Sequence, residues 1–307
     1  MDLKGTIVFS SGKHGNFDIW TINLETKKVS QLTDGEYKND CPRWSPDGSE
    51  IVYISNQSGI QEIWLMDANG DKQRQITRTE KYHNSPSWSP DGSKIIFCAN
   101  YENNFDVYIM NKDGSGLERI TNYEQSDFTP EFSPDGNQIV FTSQRSGNDD
   151  IWMYNVVTRE TKQITNYTGR DYSPTFSPDG KILAYVSGDL NPDGSENLEI
   201  FALELATDKT YQVTKNPGLD RYVRWSPDGK YLIYCGGRGG GSAERLTILE
   251  YASGKYKEVQ FDRSRLDLEI DAQPKAFGLF NFLPESVRRK FYPNEYFGTE
   301  RFPDWKY

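Results

Sequence analysis

Histidine is nearly absent from this 307-residue sequence, at His14 and His83 only. Two imidazoles cannot assemble a multi-histidine metal centre. Cysteine is almost as scarce, and Cys41, Cys98 and Cys235 cannot all pair; unpaired thiols fit a reducing compartment. Positive charge is in deficit, with 35 Lys and Arg against 45 Asp and Glu. The net charge of −10 excludes a general nucleic-acid binder, which needs a basic face to neutralise phosphates. No apolar run approaches the ~18 residues of a membrane-spanning helix, so no membrane insertion is expected. No cationic segment followed by an apolar core opens the chain, so as written it reads as cytoplasmic. A chain trimmed of an export signal would read the same and would be periplasmic or exported. Gly-x-Ser-x-Gly is missing, and the glycines from Gly236 to Gly241 lack the Lys-Ser/Thr of a phosphate loop. No catalytic residue is therefore assigned.

What the sequence does contain is one turn, repeated. Ser-Pro-Asp-Gly begins at Ser45, Ser89, Ser133, Ser177 and Ser226, at spacings of 44, 44, 44 and 49 residues. Proline pre-sets φ at the second turn position, aspartate suits the third, and glycine supplies a positive φ. An aromatic residue precedes each copy (Trp44, Trp88, Phe132, Phe176, Trp225) and a β-branched run follows, as in Ile51-Val52-Tyr53-Ile54. Self-similarity at 40–50 residues with several short strands per unit predicts a propeller. At this length, roughly 75% of the unfolded surface can be buried without disulfide staples.

Each full repeat reads as four antiparallel strands, a to d; in the second unit these are residues 40–44, 50–55, 61–66 and 73–76. Strand c carries Asp18-Ile19-Trp20, Glu62-Ile63-Trp64, Asp106-Val107-Tyr108 and Asp150-Ile151-Trp152. Strand d ends in Leu32-Thr33, Ile76-Thr77, Ile120-Thr121, Ile164-Thr165 and Val213-Thr214. The first unit begins at strand b, about residues 6–10, and lacks its own strand a. Asp271-Ala272-Gln273-Pro274 matches Asp127-Phe128-Thr129-Pro130, which predicts that residues 271–278 return to close the ring. Closure removes the exposed edges of an open array. The expected fold is an all-β, six-bladed propeller over residues 1–278. The aromatic-rich segment 279–307 is expected to pack on its surface. In such a ring Cys98 and Cys235 occupy matching positions on opposite sides, too far apart to bridge.

The aromatic-Ser-Pro-Asp-Gly turn, the Asp-Ile-Trp strand and the Ile-Thr ending together resemble the WD40-like repeats of the TolB-type β-propeller family, over about residues 5–278. The resemblance implies the fold. Similar repeats occur in peptidase propellers and sugar-acid lyases, so it implies no single activity.

Strict alternation along strand a yields six columns bordering a central channel. The first row is Asn39, His83, Asp127, Asp171, Asp220 and Asp271, an acidic mouth or a set of turn caps. The third row contains Arg43, Arg224 and Lys275 from neighbouring blades, with Glu131 opposite. Three like charges in one sector call for an anion, from a small ligand, a partner's chain end or the tail itself (Asp304 included). His14, Tyr82, Tyr123, Arg145, Tyr167, Arg170 and Arg238 fall on the d–a and b–c loops and are candidate anchors.

One hairpin is longer than the rest. Asp189, Asn191, Asp193 and Asn197, with Gly194 between, resemble a propeller calcium loop, although Asn-Pro-Asp-Gly is also a plain turn. Calcium is the one cofactor considered. The expected function is a non-catalytic binding propeller, monomeric, taking a protein or a small anionic ligand at the channel and the d–a/b–c face. The competing reading is a glycan-acting hydrolase or lyase with an acidic site at the channel mouth.

Overall fold

The computed structural model describes residues 3–13, 16–33, 37–102, 104–190, 196–215, 219–236, 245–258 and 300–306. They form six four-stranded antiparallel sheets, the blades of a propeller. The innermost strands of blades one to six are Glu300–Lys306, Asn39–Trp44, His83–Trp88, Asp127–Phe132, Arg170–Phe176 and Asp220–Trp225. Among the described residues no helix is long and apolar enough to cross a membrane.

The repeated sequence marks have local causes. In each Ser-Pro-Asp-Gly turn the serine hydroxyl donates to the aspartate, at 2.6 Å for Ser45 and Asp47, and accepts the amide of Glu50 at 2.9 Å. The glycine amide donates to the serine carbonyl, and Gly48 holds φ 67°. The threonine ending strand d accepts the amide of the strand-c residue beside it, Thr33 from Ile19 at 2.8 Å and Thr77 from Ile63 at 2.9 Å. That bond ties the short outer strand to its neighbour where the ladder runs out.

Between blades the core is aliphatic and aromatic. Val8 and Ile19 of blade one pack with Trp44, Ile51, Tyr53 and Met66 of blade two. Across the seam, Ile7, Phe9, Trp20 and Ile22 pack with Ile233, Cys235, Leu246 and Ile248 of blade six. Each such side chain, fully buried, contributes about 1.5–3 kcal/mol. The ring is closed hydrophobically as well as by hydrogen bonds. All three cysteines are buried and none forms a disulfide, so they serve as fillers of the core.

Closure by a C-terminal strand holds, but the strand is a later one than the repeat pattern indicated. Thr6 pairs with Lys306, Val8 with Asp304 and Ser11 with Glu300. Residues 271–278 lie outside the described residues. The inner position of blade one belongs to Glu300–Lys306, so the end of the segment expected as a surface extension is part of the propeller.

Every inner strand carries one extra residue. In blade two the register shifts between Asp40 and Arg43, and equivalent shifts occur in the other five blades. The bulged residues Cys41, Ser85, Thr129, Ser173 and Tyr222 hold φ between 49° and 58°. Pro42, Pro86, Pro130 and Pro174 sit at these shifts, where a residue without an N–H costs no ladder bond.

Candidate functional site

The bulge overturns simple alternation. Asn39 lies opposite Ser55 and Arg43 opposite Val52, residues on different faces of the next strand. The first and third rows therefore point differently. The first row does not border an open mouth: His83, Asp127, Asp171 and Asp220 are almost fully buried. Asn39 donates to Asp18 at 3.3 Å. The Nδ1 of His83 faces the Lys81 carbonyl at 2.8 Å and Glu62 at 3.1 Å, and its Nε2 faces Tyr101 Oη at 3.0 Å. Arg145 holds Asp127 at 2.9 Å while lying over the rings of Tyr123, Phe141 and Trp152. Burial raises the Asp127 carboxyl against the pull of Arg145, and burial likewise raises Asp171. This row ties strands together. Asp271 lies outside the described residues, and by register Glu300 takes its place.

The third row does gather. Arg43, Ser87, Glu131, Thr175, Arg224 and Asp304, one from each blade, line a cavity of 260 Å³ at the Ser-Pro-Asp-Gly end of the channel. Trp44, Trp88, Phe132, Phe176 and Trp225 complete its wall, with the turn prolines at its rim. Lys275 lies outside the described residues, and register puts Asp304 at that position, between Arg43 and Arg224 in blade order. The expected basic arc is thus interrupted by a carboxylate. The signal was present in Pro303-Asp304-Trp305, which repeats the Pro-x-aromatic spacing of Pro42-Arg43-Trp44.

Both carboxylates are committed in the same way. Asp304 Oδ2 accepts the Trp44 amide of the following blade at 2.6 Å. Three blades on, Glu131 Oε1 accepts the Phe176 amide at 3.0 Å and the Thr175 hydroxyl at 2.9 Å. Glu131 Oε2 lies 4.0 Å from Arg224 Nε, closer than a residue across the ring was expected to reach. Burial pushes the Glu131 carboxyl up to about 7; Arg43 and the hydrogen bonds from Thr175 and Phe176 oppose the rise, and Asp304 adds to it. The arginines are less well served. Arg224 Nη1 donates to the Val223 carbonyl at 2.6 Å, but neither its Nε nor the Nε and Nη1 of Arg43 has a hydrogen-bond partner among the described residues.

A second, larger space lies between blades four and five. This 980 Å³ groove is lined by Tyr167, Asp171, Tyr185, Asp189, Glu199 and Phe201, among others. Asp189 accepts the Tyr167 hydroxyl at 2.9 Å. Asp189 and Asn197 are partners in a regular hairpin ladder, while Asn191 and Asp193 lie outside the described residues. Among the described residues no group of three or more His, Cys, Asp or Glu could hold a metal ion. Of the loop-face anchors, Tyr123 and Tyr167 are exposed, Tyr82 packs beside Cys98 and Phe105, and Arg170 pairs with Asp149 at 2.8 Å. His14 and Arg238 lie outside the described residues.

Residues 4–123, 79–157 and 148–267 match the TolB beta propeller domain. The chain belongs to that family. Solved structures agree on the fold. TolB from Acinetobacter baumannii is 22% identical with a TM-score of 0.74, covering 98% of this chain, which spans 66% of that protein's length. A putative TolB from Agrobacterium tumefaciens is 18% identical with a TM-score of 0.67, over 83% of this chain and 88% of that one. An oligogalacturonate lyase from Vibrio parahaemolyticus is 17% identical with a TM-score of 0.56, over 82% and 73%. No curated protein matches the sequence.

Proposed function

We propose that this propeller is a non-catalytic binding module whose ligand enters the Ser-Pro-Asp-Gly end of the channel. One observation carries the reading: Arg43 is buried in the wall of a 260 Å³ cavity, with Nε and Nη1 lacking partners among the described residues. Burying a guanidinium is costly unless something accepts its hydrogen bonds. The two carboxylates that could serve it are already held by backbone amides of neighbouring blades. A thermal-shift screen of small anions, cations, neutral metabolites and short peptides tests this, run on the wild type and on an Arg43→Gln, Arg224→Gln double variant. Ligands that stabilise the wild type and not the variant support the reading. Stabilisation retained in the variant moves binding elsewhere.

A glycan-acting activity is the second reading, and the groove between blades four and five favours it over the channel mouth. Its 980 Å³ would hold several sugar rings, and it presents Tyr185 and Phe201 beside Asp171 and Glu199. An oligogalacturonate lyase shares the fold. Incubation with oligogalacturonate, followed by chromatography of the products, tests it; intact substrate after prolonged incubation removes that substrate.

A further inference from the structure

The charges around the channel cavity specify more than an anion. With Glu131 ionised, Arg43 and Arg224 are balanced by Asp304 and Glu131, and the ring has no use for further negative charge. With Glu131 protonated, the ring carries one surplus positive charge. A single negative charge then fits; the inorganic phosphate monoanion matches that charge but has no apolar body to set against the walls. The walls are apolar, built of Trp44, Trp88, Phe132, Phe176 and Trp225. A carboxylate suits the planar fork of arginine.

Resting on the binding reading above, we propose that this cavity takes a monocarboxylate with an apolar body, its carboxylate held by Arg43 and Arg224 while Glu131 takes up a proton from solvent. No covalent bond is made. The proton moves because a second carboxylate beside Arg224 competes with Glu131 for the same guanidinium, 4.0 Å away. The groups facing Glu131 are Arg43 of blade two, Thr175 and the Phe176 amide of blade five, Arg224 of blade six and Asp304 of blade one. Ser87 of blade three completes the ring without charge. The lift that burial gives Glu131, to about 7, puts the exchange within the neutral range.

Titration calorimetry on the full chain tests this with three probes: phenylacetate, its neutral isostere phenylacetamide, and inorganic phosphate. Phenylacetate should bind at pH 6 and weaken towards pH 8, approaching tenfold per pH unit once Glu131 is ionised. Phenylacetamide and phosphate should each bind at least tenfold more weakly at pH 6. Glu131→Gln should flatten the pH dependence and keep binding at pH 8. Arg43→Gln should weaken phenylacetate at least tenfold, with Arg43→Lys recovering part of the loss. Phosphate or phenylacetamide matching phenylacetate in the wild type would overturn the ligand class, whatever the variants do. A flat wild-type profile would overturn the proton uptake. Wild-type failure to bind phenylacetate would overturn this inference alone if other ligands in the thermal-shift screen remain dependent on Arg43 and Arg224.

Discussion

Lys306 donates to the carbonyl of Gly48 at 2.9 Å, with its ammonium 3.9 Å from the centre of the Trp44 ring. Elsewhere each turn glycine rests against the turn proline of the preceding blade; a Cβ on Gly92 would meet Pro46 at 3.6 Å, and one on Gly180 would meet Pro134 at 3.6 Å. Blade one has no Ser-Pro-Asp-Gly turn to offer blade two. Lys306 stands where that proline would be, with its Cδ 3.0 Å from the same point on Gly48. The end of the described chain completes the ring of turns.

Removing residues 300–307 should therefore expose the edge of Thr6–Lys13 and cause aggregation. The point variant Asp304→Ala is milder: it leaves the Trp44 amide without its acceptor and should cost about 1–3 kcal/mol. Urea unfolding with size-exclusion chromatography measures both. A truncated chain that stays monomeric with unchanged stability would remove Glu300–Lys306 from the ring.

The six blades could be read from the Ser-Pro-Asp-Gly spacing because that turn has a strict conformational demand. The closing strand could not, because Lys306-Tyr307 stands after its aromatic where the other inner strands have Ser-Pro. Asp271-x-x-Pro274 mimics the start of an inner strand, but its aromatic, Phe277, falls one residue late; Glu300-x-x-Pro303-x-Trp305 has the full spacing with glutamate for aspartate. The bulge was hidden for another reason. Cys41, Ser85, Thr129, Ser173 and Tyr222 adopt positive φ although none is glycine or asparagine, so no residue type announces it. One extra residue then separated the two rows that alternation had placed on one wall. Arg43, Glu131 and Arg224 were legible as channel residues; Asp304 was legible as a tail carboxylate facing the arc, but not as part of an inner strand.

Arg145 offers a test of the first row as structure. It joins Asp127 to three aromatic rings, with its side chain 10% exposed. Arg145→Met should cost about 3–5 kcal/mol, because Asp127 is left charged and buried. Adding Asp127→Asn should recover a large part of that loss. A double-mutant cycle by urea unfolding checks it, and additive losses would contradict the coupling.

Glu131 should leave a mark on stability as well. Folding raises its carboxyl from 4.5 to about 7, so between those values the folded chain holds a proton that the unfolded chain has released. Its contribution is complete below pH 4.5 and is lost as pH rises through about 7. The loss should reach at most about 3–4 kcal/mol. Comparing melting temperatures at pH 5 and pH 8, the fall should be smaller in Glu131→Gln than in the wild type. Parallel profiles would place the Glu131 carboxyl in its ordinary range.

The most direct test of channel-end binding uses the indole N–H signals in a ¹H–¹⁵N spectrum during a phenylacetate titration at pH 6. Trp44, Trp88 and Trp225 line the cavity, whereas Trp20 and Trp152 do not line it and serve as internal controls. The first three signals should move with a common dissociation constant while the controls stay still. Shifts confined to Trp20 or Trp152, or no shifts at saturating ligand, would contradict binding at the channel end.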